Sequence, residues 1–258
     1  MRGTATYVYC LAARSRPPSL TRVPPGLPHA TRPELLEIKK RVWAVVSDVP
    51  LSTYRSDRLE PRLKDLNWVA DAALAHEAVV EHFASRADTS VVPMKLFTMF
   101  SSRERAVADL SAQWPGIASV LDRIRGCNEW GIRVVRQPAP SRGAVRSASS
   151  GTAFLAAKKR ERDDARAGLV KAADAAENAF ESLAKLAREA RRRTAPETAS
   201  SPPLVDAAFL VSNTRKARFR TTARRLAKSC REAGADLILT GPWPAYNFVE
   251  HGAEDVRE

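Results

Sequence analysis

The stretch Leu237-Ile238-Leu239-Thr240-Gly241-Pro242-Trp243-Pro244-Ala245-Tyr246-Asn247-Phe248-Val249 limits what this chain can fold into more than any other. Its apolar start, Leu237 to Leu239, suits a short buried strand. Gly241-Pro242 then breaks the pattern. Pro242 and Pro244 each fix φ and remove a backbone donor. The residues before them, Gly241 and Trp243, are pushed out of the α region. The spacing therefore predicts a stiff, extended ribbon leaving a sheet, with Trp243, Tyr246 and Phe248 mounted on it. Such a ribbon either seals the domain's own core or presents rings to an apolar partner. Buried aromatics dominate core energetics, which favours the seal.

At 258 residues the chain is long enough for two domains. Its 44% apolar and 28% charged residues are ordinary for a globular protein, but its net charge of +13 is not. That charge predicts attraction to acidic surfaces and says nothing of fold. Cys10, Cys127 and Cys230 are widely spaced and form no Cys-x-x-Cys pair, so they read as reduced thiols of a cytosolic protein. The run Ala5 to Ala13 is too short, and too rich in tyrosine, for a signal peptide and reads as a first strand. No apolar run reaches the roughly 18 residues that a membrane span needs.

Taken in order, Thr6–Leu11 is a strand, Pro17–Pro33 a proline-rich loop, and Val42–Val46 a buried strand closed by Pro50 and Ser52. Leu59–Phe83 reads as one largely buried helix. Leu63, Leu66, Ala70 and Ala73 form one stripe and Trp68, Ala72, Ala75 and Val79 its neighbour. His76 and His82 lie six apart, on different faces, whereas a helical metal pair needs a spacing of four; both read as structural. Thr89–Phe100 reads as a strand, and Pro93 within it implies an edge or a bulge. Ser101 or Ser102 caps a helix, and Trp114-Pro115-Gly116 interrupts before a short helix over Ile117–Ile124. Cys127–Val135 is a strand with a glycine in it.

Residues 137–150 and 194–203 read as loops. Between them, Thr152–Arg193 reads as one long helix or two in line, with Gly168 its weak point. Leu169, Ala173, Ala176, Phe180, Leu183, Ala187 and Ala190 form a narrow seam, and Arg191-Arg192-Arg193 suits the dipole at its end. Val205–Val211 is a strand. Lys216–Ala233 is an amphipathic helix with Phe219, Leu226 and Cys230 inward and Gly234 as its stop. The fold class is α+β in two domains, 1–125 and 126–258, each with helices covering a small sheet.

Several segments, in the same order, resemble the gas vesicle accessory proteins of the F/L type (the GvpL/GvpF family). They are Tyr7-Val8-Tyr9, Val45–Pro50, Leu66–Val80, Val92–Phe100, Glu129–Val134, Ser150–Leu155 and the Leu239–Val249 ribbon. In the family's Pro-x-Arg-Phe-Gly-Thr-x-Phe strand, Lys95 stands for the arginine and Phe97 for the glycine. The resemblance implies an N-terminal α+β domain and a modified ferredoxin-like C-terminal domain with a long helix. It also implies a cytoplasmic accessory protein, with a place on the gas vesicle, that binds the very apolar shell protein and other accessory proteins. No catalytic activity and no cofactor come with it.

The residues themselves offer an enzyme little: no Gly-x-Ser-x-Gly, no phosphate-cradling lysine loop and no dinucleotide fingerprint. The alternative to an assembly factor is binding to nucleic acid or another acidic partner. It rests on Arg215, Lys216, Arg218, Arg220, Arg224, Arg225, Lys228 and Arg231, which have no acid among them before Glu232. Only Phe219 interleaves with them, and helical spacing turns it inward, so a solvated helix face is the plainer reading. An assembly factor needs an apolar or edge-strand docking surface. The candidates are Pro93, Lys95, Pro242, Trp243, Pro244, Tyr246 and Phe248, with the Leu169–Ala190 seam behind them.

Overall fold

The structure, a computed structural model, describes residues 3–86, 88–138, 151–194 and 202–249. They fall into two compact units, one within Met1–Glu129 and Pro242–Glu258, the other within Trp130–Gly241. The sequence division at 125/126 puts the segment from Pro242 in the second domain; in the structure that segment packs with the first unit.

The first unit is built on β1 (Thr4–Ala13), with β2 (Glu34–Lys39) and β3 (Val42–Pro50). Next come the short helices α1 (Leu51–Tyr54) and α2 (Ser56–Arg62), then α3 (Leu66–Ala84), β4 (Ser90–Pro93) and β5 (Met99–Phe100). Helices α4 (Arg103–Ala112) and α5 (Trp114–Ile124) follow. The sheet order is β2-β3-β1-β4, with β5 also on β1, and the β1 pairings are antiparallel. Ala5 to Ala12 are all buried, because β1 has neighbours on both edges and helices on a face. Its register with β3 shifts between Val8 and Cys10. This bulge resets the alternation, so Ala5, Tyr7 and Tyr9 share one core with Cys10 and Ala12.

Several sequence expectations change here. The β2 strand falls where none was expected: Glu34-Leu35-Leu36-Glu37-Ile38-Lys39 is a charged edge, joined to β3 through Arg41 at φ 68°. The single helix over Leu59–Phe83 is two, α2 and α3. Asp65 Oδ1 accepts from the backbone N–H groups of Asn67 (3.0 Å) and Trp68 (3.2 Å) and starts α3 afresh. Of the two stripes, the one with Ala72 and Val79 faces inward along with His76, Val80 and Phe83. The Leu63–Leu66 stripe faces solvent. The Thr89–Phe100 strand is two strands around a tight turn. Helix α5 begins at Trp114, with Pro115 in its first turn, where its missing N–H costs nothing.

The second unit runs β6 (Cys127–Arg136), α6 (Gly151–Ala184), β7 (Glu189–Arg192), β8 (Val205–Ser212), α7 (Lys216–Glu232) and β9 (Ala235–Trp243). With the order β7-β8-β6-β9 this is the split βαβ arrangement of a ferredoxin-like fold. Its core takes Trp130, Ile132 and Val134 from β6 and Val205, Ala207, Phe209 and Val211 from β8, at strand period. Ala172, Ala176, Ala179 and Leu183 of α6 and Phe219, Ala223, Leu226 and Cys230 of α7 meet them at 4-3-4 spacing. The alanines let α6 approach closely, and the rings supply the area: Phe209 lies 5.7 Å from Phe180 and 5.5 Å from Phe219.

The seam is thus displaced by one residue from the sequence reading. Ala176 and Leu183 belong to it and Phe180, Ala187 and Ala190 pack against it, but Leu169 and Ala173 are exposed, and the seam is core. Helix α6 passes through Gly168 and ends at Ala184, well short of Arg193. Glu189–Arg192 pairs with β8 instead, and the Arg192 guanidinium lies 4.0 Å from the Phe180 ring centre. Strand β9 does not stop at Leu239 but continues to Trp243. The loop 137–150 lies outside the described residues from residue 139 onward, as does most of 194–203.

Asp206 is buried between the Arg133 and Arg193 guanidinium groups, its nearest contacts being 2.6 Å to Arg133 and 2.5 Å to Arg193. Gly131 lies beside them. A Cβ there would come within 2.6 Å of Thr240 Oγ1 and 3.2 Å of Arg193 Nη2. Gly131→Ala is expected to destabilise the protein by ~1–3 kcal/mol in urea unfolding. Adding Thr240→Ala should recover part of that loss by removing the nearer atom.

Candidate partner-binding surfaces

The ribbon is held in the first unit by polar contacts with Glu129 and Arg123. The Glu129 carboxylate, 3% exposed at the residue level, accepts from the Asn247 backbone N–H (2.8 Å) and from Asn247 Nδ2 (2.5 Å). Arg123 Nη2 donates to the Phe248 carbonyl. A 3₁₀ turn over Tyr246–Phe248, closed by Phe248 N–H to Ala245 O at 3.0 Å, turns Phe248 fully inward. Pro244 and Ala245 are also buried. Tyr246 packs partly buried against the β1–α3 core. Burial pushes its hydroxyl pKa up, with Glu77 adding to the effect. Trp243 differs: it is 38% exposed, beside exposed Pro242. The alternatives for the ribbon therefore divide by residue, with Pro244 and Phe248 inside and Pro242 and Trp243 outside.

The Pro93 segment divides in the same way. Pro93 closes β4, buried opposite Cys10. Lys95 is exposed, and its carbonyl accepts from the Thr98 N–H (3.1 Å) and Oγ1 (2.7 Å), making a turn. Phe97 sits in this turn at φ 67°, the left-handed region that favours glycine. That is the position where the resembling family pattern has glycine. Here the side chain is accommodated by stacking: the Phe97 and Trp68 rings are 5.6 Å apart and 7° from parallel. The Phe97 N–H donates to Tyr7 Oη at 3.3 Å.

Beneath the turn lies a buried polar cluster. Tyr7 Oη and His76 Nδ1 are 2.6 Å apart, Tyr9 Oη accepts from the Leu27 N–H at 3.0 Å, and Tyr54 Oη donates to Pro28 O at 2.9 Å. Burial raises all three phenols, Tyr54 to about 12. Burial likewise lowers His76 to about 4, although the Met94 backbone opposes it. His76 is therefore a neutral, hydrogen-bonded core residue. Among the described residues no group of three or more His, Cys, Asp or Glu is placed to hold a metal ion.

Sequence reasoning missed the most exposed apolar face of the first unit. On α3 and just before it, Leu63 is 45%, Leu66 80% and Leu74 66% exposed. Leu66, Ala70, Ala73 and Leu74 share one helical face, with Asp71, Glu77 and Glu81 around it. Its periodicity was readable, but nothing in the spacing told which of two neighbouring apolar stripes would face the core. In the second unit, the outer side of α7 is exposed at Lys216, Arg218, Arg220, Arg224, Arg225, Lys228 and Arg231.

The chain is thus a two-sheet α+β protein with a ferredoxin-like unit, an exposed apolar face in the first unit and an exposed basic face in the second. The family model described as gas vesicle synthesis protein GvpL/GvpF matches residues 5–250, and the chain belongs to that family. It is 30% identical over 229 residues to gas vesicle protein L of Streptomyces sp. (strain CB03234), covering 83% of this chain and 82% of the relative. Its fold is that of the gas vesicle protein GvpF crystal structures. The Anabaena sp. PCC7120 protein matches with a TM-score of 0.69 at 13% identity, over 99% of this chain and 100% of that one. The Microcystis aeruginosa protein matches with a TM-score of 0.66 at 14% identity, over 96% and 99%. Family membership makes the chain a gas vesicle accessory protein. Among the described residues no helix is long and apolar enough to cross a membrane.

The buried histidine gives the fold a pH dependence. Because the His76 pKa falls from 6.5 to about 4 on folding, folding favours the neutral ring. The stability that depends on it is complete above pH 6.5 and drains as the pH falls towards 4. Urea unfolding across that window should show a loss of about 3 kcal/mol, and His76→Gln should flatten it.

Proposed function

We propose that this protein is a non-catalytic cytoplasmic factor of gas vesicle nucleation or growth. In this role it binds the apolar shell protein and other accessory proteins, stays with the vesicle as it forms, and keeps shell subunits from aggregating before they enter the wall. The observation that carries the reading is the exposed apolar face of α3 at Leu66 and Leu74, with exposed Leu63 just before the helix. Contiguous exposed apolar surface rimmed by charge is the usual mark of a protein–protein contact. Lys95, Pro242 and Trp243 are the members of the sequence-derived set that also reach the surface, and we assign them to partner contacts. Pro93, Pro244, Tyr246 and Phe248 serve the same contacts by holding the turn and the ribbon in place.

The test is co-expression with the shell protein of the same genome and recovery from the soluble fraction. The wild-type chain should keep shell protein soluble and co-purify with it. Leu66→Asp with Leu74→Asp should lose it while the melting temperature stays near the wild-type value, since surface substitutions change stability by only about 0.5 kcal/mol. Trp243→Ala should weaken capture with an equally normal melt. Intact capture by both variants would remove these surfaces from the account.

A further inference from the structure

The structural division of the chain redistributes its charge. The residues of the second unit, 130–241, carry 23 Lys and Arg against 11 Asp and Glu, a net +12; the rest of the chain carries 19 against 18, a net +1. Almost all the net charge thus belongs to the ferredoxin-like unit, and α7 is its densest part. Lys216, Arg220, Arg224 and Lys228 follow one another at a spacing of four, and Arg231 continues the row. All are exposed. Arg218 and Arg225 flank the row.

This helix is electrostatically unfavourable as it stands. Like charges four apart on a helix repel one another and destabilise it. Arg215, Lys216 and Arg218 also crowd the N-terminal end, where the helix dipole disfavours cations, and no side chain caps that end. Among the described residues Lys216, Arg218, Arg224, Arg225 and Lys228 make no ion pair; Arg231 approaches Asp236 at 3.7 Å. Helix α6 is different: Glu161, Asp163, Asp164, Asp174, Glu177 and Glu181 lie among its cations, the mixed pattern of a solvated face.

We propose that the outer face of α7 is a docking site for an acidic segment of a partner protein. Carboxylates along the row would relieve the like-charge repulsion, and one near Arg215 would supply the missing cap. A protein segment fits better than nucleic acid. Phe219 is fully buried, so the row offers no ring for base stacking, and α7 lies packed against α6 and does not project as a groove-reading helix. The proposal rests on the assembly role above only in taking the partner to be a protein.

The test is fluorescence anisotropy of the full-length protein at low salt, with labelled polyglutamate peptide and labelled DNA duplex as separate probes. The α7 variant is Lys216→Glu with Arg224→Glu and Lys228→Glu. A milder version carries alanine at the same positions, in case charge reversal perturbs folding. The control, Lys39→Glu with Lys40→Glu and Lys64→Glu, changes net charge equally on the first unit. Peptide binding should fall by roughly tenfold or more in both α7 variants and little in the control, and the duplex should bind more weakly than the peptide. An equal loss in the control, tighter duplex binding, or no peptide binding by the wild type would overturn the proposal. Shell capture is read separately, so loss of that function with peptide binding intact separates the two failures.

Discussion

The Glu129 carboxylate ties the Pro242–Val249 ribbon into the first unit. It is buried, so its oxygens must be met by hydrogen bonds, and the Asn247 backbone and side chain provide two. That contact, with Arg123 on the Phe248 carbonyl, orients the 3₁₀ turn that buries Phe248 and sets Tyr246 against the β1–α3 core. The ribbon's two prolines supply stiffness, but stiffness alone does not say where a ribbon lies. The polar clasp does, and in doing so leaves Trp243 at the surface.

The units divide their physical roles. The first is nearly neutral, with a buried tyrosine–histidine cluster behind a turn and an apolar face on α3. The second is a strongly basic ferredoxin-like unit whose seam is occupied by its own sheet. Alanine at Ala172, Ala176 and Ala179 brings α6 close to that sheet, while Phe209 and Phe219 place two fully buried rings in the core. An apolar partner and an acidic partner would accordingly meet different units.

The apolar elements were readable in the sequence: β1, β3 and β8 are runs of buried residues, and α7 shows a clean inward row of Phe219, Leu226 and Cys230. The edges were not. Strands β2 and β7 are charged segments whose strand character comes from pairing with a neighbour, so Glu34–Lys39 has no run of β-formers and Glu189–Arg192 reads as helix. On α3 two apolar stripes competed, and tertiary packing chose the one with fewer leucines. The aromatic ribbon was legible as a feature, but its clasp joins residues 118 apart in the chain, a distance no local pattern spans. Phe97 was legible only as a departure from the family pattern; its positive φ is set by the turn and its stack on Trp68 by tertiary packing.

The central claim is that the gas vesicle shell protein meets an exposed apolar face while the buried part of the ribbon does structural work. Carbene footprinting of the full-length protein, alone and co-purified with shell protein, tests it most directly. The account predicts that labelling of Leu66, Leu74 and Trp243 falls in the complex, while Phe248 stays unlabelled in both states. Undiminished labelling of Leu66 and Leu74 in a complex that does form, with protection appearing elsewhere, would contradict it.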